Sequence, residues 1–103
     1  MGLQMEKTKS VVIRQEVKIV NELGLHARPA AEFVRIAQTF RSDIWIEKGE
    51  ERFSAASIID VLRANLDCGE TAMIGANGPD AESAVARLVR LVREFQQKEP
   101  GNR

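Results

Sequence analysis

The hydrophobic period of this chain changes within a few residues, and that change does most to limit its fold. From Arg14 to Val20 the side chains alternate, with Val17 and Ile19 on one face and Glu16 and Lys18 on the other. That is the two-residue period of a strand. From Ala27 onward Ala30, Phe33, Ala37 and Phe40 recur every three or four residues, as on one side of a helix. Asn21 to Gly24 makes the turn between them, and Pro29 suits a first helical turn, where a missing N–H costs nothing.

The same reading carries through the rest of the chain. Ile44-Trp45-Ile46 and Arg52-Phe53-Ser54 read as strands joined by a turn at residues 47–50. Residues 57–66 read as a short helix, Thr71 to Ala76 as a strand, and Asn77-Gly78-Pro79 as a break. Asp80 can then cap a long helix whose core stripe is Val85, Leu88, Val89, Val92 and Phe95. The order β-α-β-β-α-β-α predicts an α+β fold: an open-faced β-sandwich, a four-stranded antiparallel sheet with three helices on one face. At 103 residues there is room for one core. The expected domain spans residues 13–97. Residues 1–12 are read as a mobile extension or strand-like arm, and residues 98–103 as a fraying tail.

Composition narrows the function. Fifteen Lys and Arg balance fifteen Asp and Glu, without the basic excess of a dedicated nucleic-acid binder. Cys68 is the one cysteine, so no internal disulfide and no cysteine metal cage can form. A single histidine with scattered carboxylates is poor ligand density for a metal, and no metal or cofactor is expected. The polar N-terminus does not resemble a signal peptide, and no apolar run approaches a membrane span. A cytoplasmic monomer is the expectation.

The run Gly24-Leu25-His26-Ala27-Arg28-Pro29-Ala30 lies where a strand ends and a helix begins. A helix start offers unpaired N–H groups and a partial positive charge, which together suit an anion. Arg28 adds a guanidinium matched to phosphoryl oxygens. The same field disfavours imidazolium, leaving His26 a neutral nucleophile. One nucleophile and one anion clamp with no general base describe a carrier better than a hydrolase. On spacing alone, the same His26 also reads as a solvated loop residue or a hydrogen-bonding partner at the helix start.

Gly-Leu-His-Ala-Arg-Pro-Ala resembles the active-site signature of the HPr family, the histidine-containing phosphocarriers of the sugar phosphotransferase system. The likeness runs from about Val17 to Phe95 and matches the family's element order. It implies that His26 accepts a phosphoryl group from Enzyme I and passes it to the IIA component of a permease. Arg28 and the N–H groups of Ala27 and Arg28 would steady the group. Such a protein is a phosphorylated intermediate rather than a stand-alone catalyst.

Ser57 reads from spacing as a helix N-cap, with Asp60 able to complete a capping box. The resemblance matches Ser57 to the serine that HPr kinase/phosphorylase modifies, although Asp60 would repel a phosphate there. It also implies a partner-docking patch of Ala27, Ala31, Arg35, Ile58, Ile59 and Leu62. Gln38 and Asp60 stand where the family often has basic residues, and Asn65 where it often has glycine. The patch is therefore less basic, and a regulatory paralogue acting through Ser57 is the alternative to sugar transport.

Overall fold

The computed structural model describes residues 11–20 and 27–97. Four strands and three helices alternate along it: β1 (Val11–Lys18), α1 (Ala27–Ala37), β2 (Asp43–Lys48), β3 (Glu51–Ser54), α2 (Ile58–Arg63), β4 (Thr71–Gly78) and α3 (Ala81–Gln97). The strands form one antiparallel sheet in the order β1-β4-β2-β3. The predicted open-faced sandwich is the observed fold.

Strand alternation decides which residues meet the helices. Ile46 lies opposite Phe53 on one side and Ile74 on the other, and Ile44 lies opposite Ala76. All five are buried. α1 adds Ala30, Phe33, Val34 and Ala37 to this core, and α3 adds Val85, Leu88, Val89 and Val92. Phe40 and Phe95 pack at its margin. Burying eight apolar side chains almost completely, Phe33, Ile46, Ile74 and Leu88 among them, contributes roughly 1.5–3 kcal/mol for each against conformational entropy.

Some boundaries differ from expectation. Val11 and Val12, read above as part of a mobile extension or strand-like arm, are strand residues of β1 itself, paired with Gly78 and Asn77. Residues 1–10 and 98–103 lie outside the described structure. Asn77 and Gly78, read as a break, end β4 as paired residues. β4 is a central strand, so a neighbour on its β1 side holds it to its last residue. Gly78 has φ +154°, and a Cβ there would meet Ser42 at 2.5 Å. Glycine lets the strand close against the loop that follows α1.

The hairpin between β2 and β3 is tighter than the four-residue turn expected. Lys48 pairs with Glu51, leaving Gly49 and Glu50 as the loop, with Gly49 at φ +63°. Two-residue hairpins demand such a positive φ. Asp80 precedes α3 as expected of a cap, and its carbonyl accepts from Ala84. Its carboxylate, however, takes the Arg41 N–H at 2.9 Å and the Ser42 hydroxyl at 2.6 Å. It therefore ties the start of α3 to the α1–β2 loop. These donors, the Arg41 N–H first, hold the Asp80 carboxyl below its usual range.

Trp45 lies on the sheet face opposite the helices and is only 8% exposed. Its indole N–H donates to Glu47 at 2.6 Å, and the Arg52 guanidinium stands 4.2 Å from the ring centroid. Arg14 reaches the same Glu47 carboxylate with two nitrogens, at 2.9 and 3.3 Å. The open face therefore has its own layer, built from a tryptophan and three charged side chains.

Candidate functional site

His26 lies outside the described residues, as do the rest of residues 21–26; both flanks of that segment are described. On one side Ile19 is fully buried. Its N–H donates to Glu70 O at 2.8 Å and its carbonyl accepts from Gly69 at 2.6 Å. On the other side the described part of α1 opens at Ala27, and Ala30 and Phe33 bury themselves in the core within two turns. The sequence produces this directly, since the apolar stripe of α1 begins at Ala30, the last residue of the motif.

The first turn of α1 contains no acidic residue, and Arg28 stands exposed there. Charge in that turn thus favours an anion, by Coulomb attraction and by the helix dipole.

Ser57 takes the predicted cap position. Its backbone is extended, at φ −129° and ψ 122°, and its hydroxyl accepts the Asp60 N–H at 3.2 Å. The expected capping box is only half made. The Asp60 carboxylate turns to Arg63 at 3.1 Å, an i,i+3 pair on the outer face of α2.

Four of the six docking residues that the resemblance implies line one depression between two helices. Ala31 and Arg35 of α1 share a depression of about 360 Å³ with Ser57, Ile58 and Ile59. Leu62 continues the patch along α2. Ile58 is 42% exposed, Ile59 69% and Leu62 39%. A helix of six residues can seat only one apolar side chain fully, and Val61 takes that place. Ala27 begins α1, one turn before Ala31.

Gln38 was not among the predicted site residues. Its side-chain amide donates to Ala56 O at 3.1 Å and so fixes the end of α1 to the turn before Ser57. Nothing in its spacing announced this, because the contact joins segments eighteen residues apart. Arg35 is paired locally with Glu32 at 3.1 Å.

Cys68 is exposed, and its thiol lies 3.6 Å from Val20 O. No helix among the described residues is long and apolar enough to cross a membrane.

Around the His26 segment the structure sets an open-faced sandwich, an exposed Arg28 and an apolar patch across two helices. The family model described as the PTS HPr component phosphorylation site matches residues 13–94, and the chain belongs to the HPr family of phosphotransferase-system phosphocarriers. The phosphocarrier protein HPr of Vibrio cholerae is 40% identical over 81 residues, 79% of this chain and 95% of its own. The HPr-like protein Crh of Bacillus subtilis is 34% identical over 83 residues, 81% of this chain and 98% of its own. The crystal structure of an HPr from Bacillus anthracis superposes with a TM-score of 0.75 at 34% identity, covering 79% of this chain and 96% of the other.

Proposed function

We propose that His26 accepts a phosphoryl group from phosphorylated Enzyme I and passes it to a IIA-type component. The phosphorus–nitrogen bond of the donor breaks as one to the His26 imidazole forms, and the second transfer repeats that exchange with a new acceptor. Neither step needs a metal or an oxidant. Arg28 neutralises the phosphoryl oxygens, and N–H groups at the start of α1 bind them. The patch of Ile58, Ile59 and Leu62, with Ala27, Ala31 and Arg35, docks both partners in turn. The chain works in the cytoplasm as a monomer.

The observation that carries this reading is the HPr family match over residues 13–94, within which the only histidine stands two residues before Arg28. Incubation with Enzyme I and phosphoenolpyruvate should add one acid-labile phosphate to the chain and none to His26→Ala. A wild-type chain that stays unphosphorylated with active Enzyme I sinks the proposal.

A second reading makes Ser57 a regulatory site for HPr kinase/phosphorylase, with phosphotransfer secondary. It is favoured by the 34% identity to Crh and by the place of Ser57 in the same depression as Arg35. Against it, Asp60 sits one helical turn away. An acid-stable phosphate gained with ATP and that kinase, absent in Ser57→Ala, is the expected result. Its absence removes the reading.

A further inference from the structure

Lys48 ends β2 with its side chain two-thirds shielded, and it lies outside the motif and the docking patch. Its ammonium donates to the carbonyls of Ala64 at 3.1 Å and Asn65 at 2.9 Å. Ala64 caps α2 and Asn65 follows it, where the chain leaving a helix needs partners for its carbonyls. The ammonium also pairs with Glu70 Oε1 at 2.7 Å. That oxygen is buried and makes no hydrogen bond among the described residues, so its contact with Lys48 is an ion pair alone. The ammonium thus gives two hydrogen bonds to the end of α2 and one ion pair to the loop beyond it.

The three partners belong to two parts of the site. Ala64 and Asn65 terminate α2, which carries Ile58, Ile59 and Leu62. Glu70 belongs to the α2–β4 loop that grips the end of β1: Ile19 N–H donates to Glu70 O, Gly69 N–H to Ile19 O, and the Cys68 thiol approaches Val20 O. Val20 is the last described residue before the segment that contains His26. One lysine thus fastens the patch-bearing helix and the stem of the histidine segment to the same strand end.

We propose that Lys48 is a positioning residue for phosphoryl transfer, holding α2 and the Ile19–Val20 stem in a fixed relation so that a partner seated on the patch meets His26 in register. This rests on the carrier reading. Its effect falls on alignment after docking, because Lys48 is not on the patch. Small misplacements of reacting groups are costly in rate.

The test uses the full chain as Lys48→Met, Lys48→Arg and Glu70→Gln. With phosphorylated Enzyme I, Lys48→Met should lower the maximal rate of His26 phosphorylation about tenfold while changing the half-saturating concentration less than about threefold. Lys48→Arg should recover most of the rate, and Glu70→Gln should fall between. A Lys48→Met protein with wild-type maximal rate, or one affected only in half-saturation, overturns the proposal.

A second measurement does not depend on Enzyme I. His26 is the sole histidine, so its imidazole C–H resonances report on that segment alone. They should shift in Lys48→Met and return in Lys48→Arg. Unshifted resonances in a folded Lys48→Met protein overturn the positioning role. Absence of phosphate on the wild type counts against the carrier reading alone.

Discussion

Gly75 is the residue on which the open face depends. It pairs with Trp45 across β4 and β2, and a Cβ there would stand 2.5 Å from the indole Cε2. Gly75→Ala should therefore cost about 1–3 kcal/mol, the usual range for overpacking a rigid site. In a Trp45→Thr background the same substitution should cost less than about 0.5 kcal/mol, since the clash is gone. Urea unfolding followed by circular dichroism measures both; equal costs in the two backgrounds would refute the account. Alternation in the sequence already put Trp45 on the face away from Ile44 and Ile46. Its seat was not legible, because it depends on register with a strand far along the chain. Glu47, beside it, is held below the usual glutamate range, first by the Arg14 hydrogen bonds and then by the Trp45 N–H. A lowered folded value means that the stability is fully present above the unfolded glutamate pKa of about 4.3 and is lost as pH falls through the lower one. Glu47→Gln should accordingly flatten the acid side of a plot of unfolding free energy against pH while leaving its shape above about pH 6 alone. An identical acid limb in the variant would show that the cluster contributes nothing.

At the scale of elements, α2 is the piece that most needs help. Six residues are too few for helix propensity alone to hold them, so the ends decide. Ser57→Ala should lose about 1 kcal/mol, and Ser57→Asn should retain most of the cap. At the other end Asn65 adopts φ +52°, a conformation that glycine reaches without strain. Asn65→Gly should gain about 0.5–1 kcal/mol, with Lys48 still bonded to the same carbonyl. Chemical denaturation of the three variants tests the set, and an Asn65→Gly protein less stable than wild type would mean that the asparagine side chain contributes something else. The cap was legible because Ser57 and the apolar run behind it are local in sequence. Lys48 was not, since a lysine at a strand end looks like any solvated charge until α2 folds beside it. The reach of β4 on to Gly78 was missed for a related reason, and the strand-like arm allowed for residues 1–12 proves at Val11 and Val12 to be β1 itself. Pairing between neighbours extends a strand through residues such as Asn77 and Gly78 that favour turns on their own.

For the whole molecule the question is what drives it onto its partners. The net charge is zero. Two charged pairs on the patch helices, Glu32 with Arg35 and Asp60 with Arg63, neutralise themselves locally. Long-range steering is therefore weak, and on the proposed docking mode contact would depend on the apolar surface of Ile58, Ile59 and Leu62. Ile59 is the most exposed of the three at 69%. Ile59→Ser should raise the concentration of chain that half-saturates phosphorylated Enzyme I about tenfold, as for a central interface side chain worth more than about 1 kcal/mol. Its unfolding midpoint should hardly move, because an exposed side chain adds little to the core. Between about 50 and 300 mM salt, the association rate of the wild-type chain should change by about twofold, against tenfold or more for strongly steered pairs. Stopped-flow association across that range decides the matter. A steep salt dependence, with no effect of Ile59→Ser, would move docking away from the α1–α2 face and onto the charged open face around Arg14, Glu47 and Arg52.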